Sequence, residues 1–196
     1  MSYIYIVPIE LDDDSCLEKL EGFLSETFQL KTKRRELKIN LKDAFDSNRN
    51  QYNSSLILRQ LIMKPPQDAE KILAVLDVDL FIPILTFLFG EAQLKGIGAV
   101  VSTHRLHNRF YGLPEDTKLT TERLLKEAVH ELGHTFGLIH CLQPRCVMNS
   151  STYVENIDLK PAEFCPSCRK SLHIDTSGTD KKGFRFLWWG KNSKFR

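Results

Sequence analysis

The segment His130-Glu131-Leu132-Gly133-His134-Thr135-Phe136-Gly137-Leu138-Ile139-His140 constrains this chain more than any other. Residues four apart stack on one face of a helix, so His130 and His134 can place two imidazoles on one ion. Glu131 lies beside them, within reach of a proton on water held by that ion. Three residues past His134, Gly137 can take φ > 0 and end the helix in a sharp turn that brings His140 back as a third ligand. Three neutral nitrogens leave a fourth tetrahedral position open, the arrangement of a catalytic zinc site and not a structural one. The same helix must bury its other side, and Leu125, Val129, Leu132 and Phe136 recur at the spacing this needs. A helix with surface histidines and a capping glycine is the alternative.

The cysteines follow directly. Four of the five are Cys141, Cys146, Cys165 and Cys168, while Cys16 stands apart and reads as an inert thiol. Two pairs about twenty residues apart suit a closed tetrahedral zinc site built from four thiolates. Residues 1–10 have no basic region and no small-residue cleavage site, and read as a strand and not as a signal peptide. That favours a reducing, cytoplasmic setting and metal ligation over disulfides. We expect two zinc ions per chain, one catalytic and one structural. The second would supply folding energy to a lobe with little core and would pin the chain just past His140.

Strands and helices alternate through the first 120 residues, which predicts an α/β fold. Ser2–Glu10 reads as a strand, and a helix runs from the Asp12–Ser15 cap to about Phe28, with Leu17, Leu20, Leu24 and Phe28 at helical spacing. Arg35–Asn40 alternates as a second strand, and Ser54–Met63 is helical up to Pro65-Pro66. Lys71–Asp79 is nearly all apolar, as in a strand buried on both faces. Gly96–Thr103, with glycine-rich flanks, suits an edge strand or a bulge. A long helix starts near Thr120. The predicted units are an α/β subdomain over 1–136, a zinc-stabilised C-terminal lobe over 137–180 and a tail over 181–196.

The tail holds six Lys/Arg and no Asp/Glu, leaving 21 basic against 25 acidic residues in the rest. The body is therefore no general nucleic-acid binder. The tail's Phe184, Phe186, Leu187, Trp188 and Trp189 suit docking on the protein itself, or an anionic partner such as nucleic acid or a lipid surface. The longest apolar run, Leu80–Phe89, is interrupted by Pro83 and too short to span a bilayer.

His-Glu-x-x-His-x-x-Gly-x-x-His followed by Met148 resembles the metzincin clan of zinc peptidases. Met148 falls at the clan's Met-turn, where it would pack beneath the metal without ligating it. Cys141 next to the third histidine, Cys146 after four residues, Met148 and then Cys165-Pro-Ser-Cys168 narrow the resemblance to the archaemetzincins. Sixteen residues separate Met148 from Cys165, one fewer than in that family's pattern. Phe81-Ile-Pro83 and Phe89-Gly-Glu-Ala-Gln93 extend the likeness, which covers residues 1 to 180.

The resemblance implies peptide-bond hydrolysis with Glu131 as general base, in an aminopeptidase-like mode, by a monomer whose partner is a peptide or protein substrate. It implies a mixed, mostly parallel twisted sheet whose antiparallel edge strand binds substrate. Gly96–Thr103 is the candidate, through Gly98, Ala99 and Val100. Some metzincins carry a tyrosine two residues after the Met-turn methionine. Ser150 stands there, and nearby Tyr153 is either an oxyanion stabiliser or a packed ring. His104 and His107 read as surface or structural histidines. The competing reading is a zinc-stabilised binding or scaffolding protein that uses its basic aromatic tail.

Overall fold

Strand β1 (Tyr3–Ile9) sends Ile4 and Ile6 into one apolar cluster and Tyr5 and Val7 into another, so it is buried on both faces. In the computed structural model, which describes residues 2–11 and 14–172, helix α1 (Cys16–Phe28) follows and inserts the predicted Leu17, Leu20, Leu24 and Phe28. Then come β2 (Lys31–Arg34), β3 (Phe45–Asp46), β4 (Gln51–Asn53), α2 (Ser54–Ile62), β5 (Ala69–Leu76), β6 (Leu80–Phe81), β7 (Gly90–Ala92) and β8 (Gly98–Ser102). Helix α3 (Thr117–Thr135) and the short helices α4 (Val154–Leu159) and α5 (Pro166–Ser171) complete the described chain. The tail over 181–196, and residues 173–180 of the expected lobe, lie outside the described residues.

The main sheet has the order β2-β1-β5-β8-β7, parallel except for β7. Side chains alternate across a strand, and the sheet therefore feeds two cores. Ile4, Ile6, Leu73, Val75, Ala99 and Val101 pack under α1 and α3. Tyr5, Val7, Ile72, Ala74, Leu76 and Val100 pack under α2. This is the mixed α/β fold, with a second small sheet β3-β4-β6 beside it. The lobe is tied to α3 by buried Arg123, whose Nε and Nη2 donate to the Asp158 carboxylate at 2.7 Å each and whose Nη1 donates to the Leu106 carbonyl.

Two expectations are corrected. The second strand is β2 at Lys31–Arg34, and 35–40 is irregular. Edge strands are commonly charged, and Lys-Thr-Lys-Arg shows no apolar alternation, whereas Leu37 and Ile39 pack against a core without forming a strand. The strand over Gly96–Thr103 forms, as β8, but it is interior: it pairs with β5 on one side and β7 on the other. Gly98, Ala99 and Val100 are buried and have no free backbone edge for a peptide. Gly98 answers to a close approach instead, since a Cβ there would collide with Ile62 Cγ2 of α2. The free antiparallel edge is β7.

Candidate metal centre

Helix α3 begins where the Asp116 side chain accepts a hydrogen bond from Leu119 N at 2.9 Å. Its last two turns carry His130, Glu131 and His134. The ending is a paired capping turn: Gly137 N donates to the His134 carbonyl at 2.9 Å, and Leu138 N to the Gly133 carbonyl at 3.0 Å. Gly137 has φ +99, the left-handed conformation expected from the sequence. The turn delivers His140, so that His130, His134 and His140 each offer a nitrogen within 4.8 Å of the others.

Each helical imidazole is oriented by a carbonyl. His130 Nδ1 is 2.8 Å from the Val147 oxygen, and His134 Nδ1 is 2.8 Å from the Leu138 oxygen. A proton on each Nδ1 leaves both Nε2 atoms as lone-pair donors, and these lie 3.1 Å apart. Two lone pairs facing each other at that distance are stabilised by a cation between them. Burial, reinforced by nearby Lys160, holds His130 well below the ordinary histidine range; burial lowers His134 as well. Both rings are therefore kept in the neutral form that a metal needs. The donor set fits zinc. Glu131, on the same turn, is buried. Burial first, and then the Glu127 carboxylate, push it well above the ordinary carboxylate range.

The second cluster lies next along the chain. Cys141 Sγ is 3.9 Å from Cys165 Sγ, Cys146 Sγ is 3.7 Å from Cys168 Sγ, and all four sulfurs lie within 4.8 Å of one another. A tetrahedral ion with Zn–S near 2.3 Å requires sulfurs about 3.8 Å apart, and a disulfide requires about 2.05 Å. The spacing therefore fits a metal and excludes two disulfides. Pro166 occupies the first turn of α5, and the Cys168 N–H helps to lower Cys165 to about 7. Burial raises Cys146 and Cys168.

Residues 146–149 join the two clusters. Val147 orients His130, Cys141 N donates to the Met148 carbonyl at 2.9 Å, and Asn149 Nδ2 donates to the Cys141 carbonyl at 2.9 Å. Met148 is fully buried and packs over Gly133, where a Cβ would lie 2.5 Å from its Sδ. Beneath them, Lys160 Nζ is 2.8 Å from Glu127 Oε1 and donates to the Asn149 carbonyl at 3.2 Å, with both side chains almost wholly buried. The sequence reading missed Lys160, Glu127 and Asn149. A lysine and a glutamate 33 positions apart carry no local signal of pairing.

Other singled-out residues stand elsewhere. His104 Nδ1 and His107 Nε2 lie 3.9 and 3.7 Å from Asp77 Oδ1, and His107 Nδ1 lies 3.1 Å from Glu115. They gather around carboxylates and not in the three-histidine cluster. Tyr153 precedes α4 with its side chain exposed. Cys16 opens α1 and is in no disulfide.

Comparison with known proteins places this geometry. The model of peptidase family M54 matches residues 25–174. The archaemetzincin of Archaeoglobus fulgidus is 37% identical over 174 residues, covering 86% of this chain and 98% of that protein. The crystal structure of archaemetzincin from Methanopyrus kandleri superposes with a TM-score of 0.78 at 33% identity, covering 87% of this chain and 93% of that one. A zinc-dependent peptidase from Methanocorpusculum labreanum gives 0.77 at 31% identity, covering 86% and 99%. The chain belongs to peptidase family M54, the archaemetzincins, and is a zinc metallopeptidase.

Proposed function

We propose that this chain hydrolyses peptide bonds with Glu131 as general base, at a zinc held by His130, His134 and His140. A second zinc, held by Cys141, Cys146, Cys165 and Cys168, is structural. The observation that carries the reading is the pair of Nε2 atoms of His130 and His134 at 3.1 Å, each ring fixed by a carbonyl. Zinc at such a site lowers the pKa of water towards about 7 and polarises a carbonyl. Glu131 takes the proton from the attacking water and passes it to the leaving amine. Met148 packs below the ligand helix and keeps it in place.

The peptide is bound as a strand added to β7. Ser102 N donates to the Phe89 carbonyl at 2.8 Å and Gln93 N to the Gly98 carbonyl at 3.0 Å. In an antiparallel pair, alternate residues face the partner, so Phe89, Glu91 and Gln93 are committed to β8. Gly90 and Ala92 turn their N–H and C=O groups to the open edge. Both metal clusters are completed within one chain, which supports action as a monomer, and four reduced thiols suit the cytoplasm. No helix among the described residues is long and apolar enough to cross a membrane.

Glu131→Gln should keep zinc and lower kcat by about 10²–10⁴-fold. Unchanged turnover in that variant sinks the mechanism. A peptide-library digest by the wild-type enzyme tests, in the same experiment, the aminopeptidase-like mode that the family implies.

A further inference from the structure

Gly90 of β7 lies against the Glu131 side chain, and its glycine identity is not explained by the backbone. Among the described glycines only Gly112 and Gly137 have positive φ. A strand position of this kind favours β-branched or aromatic residues, and glycine weakens it.

The explanation is steric. A Cβ on residue 90 would lie 2.6 Å from Glu131 Cγ, 2.8 Å from Glu131 Oε1 and 2.7 Å from the Val100 carbonyl oxygen. Non-bonded carbons rest at about 3.5–4.0 Å. Any side chain at 90 must therefore move the Glu131 side chain or push β7 away from β8. Among the described residues, no hydrogen bond holds the Glu131 carboxylate. Its direction is set by packing, and the wall it packs against is the backbone of Gly90.

We infer that Gly90 is a positioning residue for Glu131: the missing side chain is the slot that aims the carboxylate, and the outward N–H and C=O of Gly90 set a peptide's register above it. This rests on the reading of Glu131 as general base. One residue then links the base to the substrate edge, so the scissile bond is aligned to β7 and to Glu131 at once. Displacing a reacting group by about 1 Å can cost about 10²-fold in rate.

The test is Gly90→Ala in two backgrounds, wild type and Glu131→Ala, on the zinc-loaded full chain. In the wild-type background we expect kcat to fall by about 10²-fold, with KM changed less than about threefold and zinc content unchanged. Thermal unfolding supplies a readout independent of turnover. The Tm lost on adding the Cβ should be clearly smaller in Glu131→Ala, because Cγ and the carboxylate are gone. Equal losses assign the clash to Val100 and overturn the inference, as does full kcat in Gly90→Ala. If Gly90→Ala does not fold, folding of the double variant supports the inference and its failure to fold overturns it. Failure of the general-base reading shows separately, as equal peptide turnover by wild type and Glu131→Gln.

Discussion

His130 Nδ1 lies 2.8 Å from the carbonyl oxygen of Val147, and Val147 stands between Cys146 and Met148. The three-residue segment Cys146–Met148 therefore touches both clusters. On one side, Cys146 Sγ is 3.7 Å from Cys168 Sγ and accepts from Cys165 N at 3.4 Å. On the other, Met148 accepts from Cys141 N, the residue next to His140. Partners that orient a ligating histidine typically change metal affinity by about 10–100-fold. What fixes Cys146 should thus be felt at His130.

Removing one thiolate tests this directly. On the proposed reading of two zinc ions per chain, Cys168→Ser should leave one, measured by elemental analysis. The lobe loses folding energy with its ion, and Tm should fall by about 10 °C for a chain of this size. Zinc affinity at the three-histidine cluster, measured by competition with a chelating dye, should weaken by about tenfold or more. A variant that loses one zinc yet keeps the remaining affinity unchanged would show that residues 146–149 do not couple the clusters.

Gly137→Ala probes the turn that delivers His140. With φ +99, a Cβ there is strained by about 1–2 kcal/mol, and it would meet Lys95 Cγ at 3.1 Å. The capping turn also supplies the Leu138 carbonyl that orients His134. Urea unfolding should therefore show a loss of about that size, together with weaker zinc binding at the histidines. A stability loss without any change in zinc affinity would separate the turn from the site.

The legible parts of this molecule were those whose signal is local. The histidine spacing, the capping glycine, the two closely spaced cysteine pairs and the apolar faces of α1 and α3 each lie within a short stretch of sequence, and period and spacing report them. The strand pairings do not. Gly98-Ala99-Val100 and Gly90-Glu91-Ala92 both open on a glycine, and which one forms the edge depends on the contacts each makes with α2, α3 and its neighbours. The glycine at 98 answers to Ile62 and the one at 90 to Glu131, partners 36 and 41 positions away. Buried pairs such as Lys160 with Glu127 are invisible for the same reason.

That pair yields its own prediction. Lys160 and Glu127 are each almost wholly buried and lie 2.8 Å apart. Removing one partner of such a pair leaves an uncompensated charge and costs about 3–5 kcal/mol. Lys160→Met should show this loss in chemical denaturation, along with freedom at the Asn149 carbonyl, which loses its donor. Adding Glu127→Leu should recover most of the stability, because the second charge is removed too. Lys160→Met as stable as wild type would mean that the buried pair contributes nothing to stability.

The pH dependence of the metal-free protein isolates Glu131. Burial and Glu127 raise its folded pKa well above the ordinary 4.5. A raised group contributes stability that is complete below the unfolded value and is lost as pH rises through the folded one. Glutamine is neutral throughout and keeps that contribution. Metal-free Glu131→Gln should therefore unfold at a higher temperature than metal-free wild type at pH 7–8. The gap should close towards pH 4. His130 and His134 have lowered pKa values, so their contribution is lost as pH falls below 6.5, but in both proteins alike, and it cancels in the difference. Zinc favours the ionised carboxylate and should shrink the gap at pH 7–8. A gap that is constant from pH 4 to 8 would mean that Glu131 ionises as freely in the folded chain as in the unfolded one.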